Sequence, residues 1–139
     1  MFDTSLHFAK GLHMKFLTIL TLTFAVALAG SIATADETKG AFRHVVCFKF
    51  KDGTSDAEVK EIETAFAALK GKIDTISDFE WGTSENIEPL NDEFTHCFLV
   101  SFKDKKGLET YLPHPDHKKF VELLKPKLDK VFVFDYTAR

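Results

Sequence analysis

In three separate stretches of this chain the side chains alternate between two kinds of face, and that alternation restricts the fold more than any other feature. Arg43 to Phe50 puts His44, Val46, Phe48 and Phe50 on one side and Val45, Cys47 and Lys49 on the other. In Phe94 to Lys103, His96, Phe98, Val100 and Phe102 alternate with Cys97, Leu99 and Ser101. Val131 to Tyr136 places Phe132, Phe134 and Tyr136 together. Successive side chains of a strand point to opposite faces, so a period of two predicts half-buried strands. Ile76 to Ser84 reads as a fourth strand, with Phe79 and Trp81 on one face and Gly82 at a bulge or a close approach.

Helical periods separate the strands. Lys51-Asp52-Gly53 supplies turn chemistry, and Ser55-Asp-Ala-Glu58 fits a capping box. Val59, Ile62, Phe66, Leu69 and Ile73 then recur at three and four residues, giving a helix with one apolar stripe that ends near Gly71. Glu85 to Glu93 is a polar loop. A second helical region follows Lys103 to Gly107, is forced to bend at Pro113 and Pro115, and continues through Val121, Leu123, Leu124 and Leu128, with Pro126 ending or kinking it.

The order is β-α-β-β-α-β. It predicts an α+β domain in which a four-stranded antiparallel sheet carries both helices on one face. The other face, with Cys47, Leu99 and aromatic residues, is left bare, and an apolar face of that size implies a partner. The simplest partner is a second copy, sheet against sheet about a two-fold axis. Cys47 and Cys97 both lie inside strand patterns and are expected as free thiols; whether they meet depends on register.

The N-terminus reads differently. A basic start at Met14-Lys15, an apolar run from Phe16 to Ala29, and Ala33-Thr34-Ala35 before Asp36-Glu37 form the three parts of a secretory signal peptide. The apolar run is short for a membrane span. Residues 1–35 are therefore expected to be a cleaved leader, with Met14 the cleaner start, and the product periplasmic or extracellular. Residues 36–42 are expected as a mobile lead-in to a domain at 43–139. The whole chain has a net charge of −3. That mild balance gives no electrostatic footprint for nucleic acid, and no basic patch holds a membrane once the leader is gone.

Tyr111-Leu-Pro-His-Pro-Asp-His117 is the densest chemical segment. Tyr111 and His117 suit proton transfer near neutral pH. His44 and His96 head strands on the face shared with Val46, Phe48 and Phe98, and would line the same layer if that face meets the helices. Those residues, with Phe66, form the expected lining of a small apolar or aromatic ligand pocket. The residues alone leave a second reading open, a bent helix whose Tyr and His merely pack. His114 and His117 are three apart, but Pro115 lies between them and no acidic residue is placed as a partner, so no metal is expected.

Four stretches carry a more specific likeness: His44-Val-Val-Cys-Phe-Lys-Phe50, Trp81-Gly82, Thr95-His-Cys-Phe-Leu-Val-Ser-Phe102, and Tyr111 to His117, with Val133-Phe-Asp-Tyr136 closing the domain. Together they resemble the stress-responsive dimeric α+β barrel (Dabb) family over nearly all of residues 43 to 139. The resemblance implies a ferredoxin-like protomer whose sheet forms a barrel across a homodimer. Most of that family has no settled activity and is linked to stress. One plant branch comprises polyketide cyclases that close a ring by an intramolecular aldol reaction without a cofactor. By likeness to that branch, Tyr111 and His117 carry the acid–base work, and His44 and His96 line the same site. The expected function is an exported homodimeric Dabb protein with a His- and Tyr-lined pocket, the alternatives being a cyclase-type acid–base enzyme or, further off, a monooxygenase-like or metal-binding barrel.

Overall fold

A computed structural model describes residues 39–139. The expected leader lies outside the described residues. The chain runs β1 (Phe42–Phe50), α1 (Asp56–Ala67) with a 3-10 turn at Ala68–Gly71, β2 (Ile76–Thr83), β3 (His96–Phe102), α2 (Lys105–Tyr111), α3 (Pro115–Leu124) and β4 (Leu128–Thr137). The strands form one antiparallel sheet in the order β2-β3-β1-β4.

Local chemistry sets the elements. Ser55 caps α1 and closes the capping box with Glu58. The Lys127 ammonium, then the Ser55 amide and hydroxyl, hold the Glu58 carboxyl down to about 2. The start of α1 is thereby tied to the entry of β4. Asp104 caps α2 through the Gly107 amide. Gly107 is needed for a close approach: a Cβ there would lie 2.8 Å from Phe102 Cβ on β3.

The core fills the space between helices and sheet. Phe66 of α1 stacks on Phe120 of α3 at 4.4 Å and meets Phe98 of β3 at 4.6 Å. Phe48 of β1 reaches Phe98 at 5.0 Å. Aromatic rings bury large areas and prefer such offset and tilted contacts, so this cluster holds α1 and α3 to the sheet.

Two sequence expectations are corrected. Residues 36–42 are not a mobile lead-in throughout: Phe42 begins β1 and is buried, the Gly40 amide bonds the Ala138 carbonyl, and the Ala138 amide bonds the Ala41 carbonyl. Leu128 does not continue the helix. The chain turns at Lys125–Lys127 beside Pro126, and Leu128 opens β4.

β4 differs from its neighbours. Val131, Phe132, Val133, Phe134 and Tyr136 are all 39–56% exposed, on both faces of the strand. Phe132 and Phe134 sit opposite Cys47 and Val45 of β1, so the open face of the sheet is apolar at this edge.

Candidate functional site

The two prolines shape the first part of the site. The residue before a proline avoids helical angles, and His114 is extended at φ −60, ψ 138. Its Nδ1 accepts the Asp116 amide at 3.2 Å and so caps α3, with Pro115 in the first turn. The Leu112 carbonyl is left without its usual helical donors, because Pro115 has no N–H and the Asp116 N–H is already taken. His117 Nδ1 fills the vacancy at 2.9 Å. A carbonyl only accepts, so Nδ1 carries the proton and Nε2 of the neutral ring is a free base. Burial holds the His117 pKa below its ordinary 6.5; the Leu112 bond pulls the other way, and His44 and His114 add to the lowering.

Tyr111, the last residue of α2, is fully buried, 4.2 Å from the His117 ring by centroids and tilted 42° to it. Burial pushes its phenol well above 10.0, so it stays a protonated donor. His44 also meets the Tyr111 ring, edge-on with centroids 6.0 Å apart. Its Nδ1 is 2.6 Å from Asp135 Oδ1, the residue directly opposite it on β4. A carboxylate only accepts, so this bond fixes the proton of His44 on Nδ1. Asp135, His44, Tyr111 and His117 thus form one row across β4, β1, α2 and α3.

His96 does not join that row. It faces Phe48 in the β1–β3 register, four residues along β1 from His44. At ~3.4 Å per residue this is ~14 Å of strand. Its Nε2 is 3.3 Å from Glu63 Oε1 and its Nδ1 is 2.8 Å from Thr95 Oγ1. Both ring nitrogens are engaged, and Phe50 and Trp81 pack around it. Lys60 completes the cluster, bonded to Glu63 at 2.9 Å and lying over Trp81 at 5.7 Å. Val46, Phe48, Phe66 and Phe98, expected as pocket lining, are buried against one another in the core between the two histidines. His114 and His117 diverge, one to the Asp116 amide and one to the Leu112 carbonyl.

Asp135 is a site residue that sequence reasoning did not single out. Its signal was the alternation itself: with Phe132, Phe134 and Tyr136 on the open face, Asp135 is the carboxylate of β4 on the His44 side.

This chain, with its Asp135–His44–Tyr111–His117 row on the helix-bearing side of a β-α-β-β-α-β sheet, belongs to the stress responsive A/B barrel domain (Dabb) family, whose profile matches residues 42–138. Among curated relatives, the stress-response A/B barrel domain-containing protein HS1 of Arabidopsis thaliana is 37% identical over 101 residues, covering 73% of this chain and 93% of HS1. Olivetolic acid cyclase of Cannabis sativa is 28% identical over 99 residues, covering 71% of this chain and 98% of the cyclase. A dimeric ferredoxin-like protein from Thermobifida fusca shares the fold with a TM-score of 0.62 at 18% identity, covering 71% of this chain and 92% of that one.

Proposed function

We propose that each protomer carries a cofactor-independent acid–base site for a small carbonyl-bearing ligand, with an apolar or aromatic body, and that the protein works as an exported homodimer. The observation that carries the catalytic reading is the His117–Leu112 bond, which leaves Nε2 of His117 unprotonated beside the phenol of Tyr111. His117 removes a proton from a carbon between two carbonyls. Tyr111 donates a hydrogen bond to the oxygen that gains charge. The carbanion adds to a second carbonyl of the same molecule, forming the ring C–C bond, and the imidazolium of His117 returns the proton to the new alkoxide. His44, its tautomer set by Asp135, also packs against the Tyr111 ring. The 28% identity to a protein named a cyclase supports this reaction class.

The homodimer reading is supported by the apolar, half-exposed β4 and the open sheet face. The dimeric description of the Thermobifida fusca protein points the same way. Export rests on the basic, apolar and small-residue segments of residues 14–35.

The test is ring closure of linear poly-β-keto mimics by the purified protein, followed by mass spectrometry. Wild type is expected to yield a cyclised product, and His117→Ala to lose it while sedimenting as the wild type does. Equal product from both would remove His117 from the chemistry and leave a stress-binding module with an architectural bend.

A further inference from the structure

His96 is a buried titratable group that the Tyr111–His117 chemistry leaves unused. Its Nε2 faces Glu63 Oε1 of α1 at 3.3 Å, and its Nδ1 faces Thr95 Oγ1 at 2.8 Å. A carboxylate only accepts, so Nε2 keeps its proton whatever the state of Nδ1. Thr95 has one hydroxyl proton and two acceptors within reach, His96 Nδ1 and the Phe48 carbonyl of β1 at 3.4 Å. The hydroxyl can therefore serve either form of the ring. Beside neutral His96 it donates to Nδ1. When Nδ1 is protonated, Nδ1 donates to Oγ1 and the hydroxyl proton turns to the Phe48 carbonyl. Neither form leaves a ring nitrogen or the hydroxyl without a partner.

The surroundings suit a charged ring. From α1, Glu63 gives Oε1 to His96 and Oε2 to the Lys60 ammonium at 2.9 Å. The Lys60 side chain is 69% exposed and screened by water, whereas Glu63 is 11% exposed and acts on His96 at close range. The other elements present uncharged rings: Phe50 of β1 edge-on at 5.1 Å, and Trp81 of β2 stacked at 6.3 Å. Thr95 is also the root of the loop between β2 and β3. Its amide bonds the Phe48 carbonyl at 2.9 Å, and its carbonyl takes the Ser84 amide at 2.9 Å.

We infer that Glu63, His96 and Thr95 form an acid-responsive latch: His96 takes up a second proton inside the folded core, and the Thr95 hydroxyl turns to Phe48 and fastens the root of the loop to β1. One proton moves from solvent to Nδ1, and no bond between heavy atoms changes.

The experiment follows the nitrogen shifts of the His96 ring by NMR, and the emission of Trp81, from about pH 8 down to about pH 4.5. Trp81 is the single tryptophan of the chain, and a protonated imidazole quenches an indole stacked on it. The expected result is a proton on Nε2 alone at the alkaline end and on both nitrogens at the acid end. The change should be reversible, with the folded spectrum kept and Trp81 dimming in step. His96→Gln should abolish the dimming. Thr95→Val should move the transition down by about one pH unit, because hydrogen bonds to charged groups are the stronger ones, and Thr95→Ser should restore it. The Thr95 pair decides the matter even where His96→Gln fails to fold. Corrected for intrinsic rates, protection of the Thr95 amide from hydrogen exchange should rise severalfold on the acid side in wild type and not in Thr95→Val. A proton on Nδ1 at the alkaline end, dimming that persists in His96→Gln, an unmoved transition in Thr95→Val, or unchanged Thr95 protection would each overturn the inference.

Discussion

Two histidines at equivalent places in neighbouring strands meet different fates. His44 and His96 both occupy the helix-facing side of the sheet, both are buried, and each touches a carboxylate, Asp135 or Glu63. Around His96 every polar valence is consumed locally by Glu63 and Thr95, and aromatic rings pack around it. Around His44 the Asp135 bond uses one nitrogen, and the next groups outward are the Tyr111 phenol and the free Nε2 of His117. The same sequence pattern thus gives a closed polar cluster at one end and, at the other, a row that ends on an imidazole nitrogen with no hydrogen-bond partner among the described residues. The difference is made by what the bend at Pro113–Pro115 brings up to the sheet.

The largest effect expected along this contrast is at the phenol. Tyr111→Phe removes one oxygen and keeps the ring, so the rate of ring closure should fall by about 10²–10⁴-fold with an unchanged melting curve. His96→Gln, assayed beside it, should cost little rate; an equal loss in both would erase the distinction between the two ends. Glu63→Ala should instead lower stability by about 2 kcal/mol in urea unfolding, because the His96 N–H and the Lys60 ammonium lose their buried acceptor, while activity per folded molecule is retained. Asp135→Asn should slow catalysis about fivefold without loss of fold, since a charge-assisted bond to His44 becomes a neutral one.

The smallest effect is a displacement on the pH axis. The His117 pKa is lowered, so its basic form persists below 6.5 and the acid limb of the rate profile should have its midpoint there. Because Tyr111 is raised above 10.0, no alkaline fall from the phenol is expected up to that value. The same depression adds stability that is present above 6.5 and lost as pH falls through the lower folded value. An acid midpoint above 6.5 would show that His117 is not the base.

The strands and the first helix were legible because alternation and capping are local. The bend was legible because proline acts on its own residue and its neighbour. What Leu112 lends to His117 was hidden, since it depends on which amides are left to reach one carbonyl. Asp135 was legible as a face assignment but not as a partner, because pairing with His44 requires the β1–β4 register. Register likewise decided that Cys47 meets Cys97. The expectation that His96 shares a site with His44 came from face alone, and face does not say how far apart two residues lie along a strand.

Gly107 stands one helical turn before Tyr111, on the same side of α2. Alanine would be the better helix former there by about 1 kcal/mol, yet its methyl would press on Phe102. The depth of the phenol is therefore set by a side chain that is missing. Like a shim left out of a hinge, an absent methyl group lets α2 settle against Phe102 and carries Tyr111 fully into the core. A chain improved at this position for helix strength would be a sturdier part that no longer fits its mate.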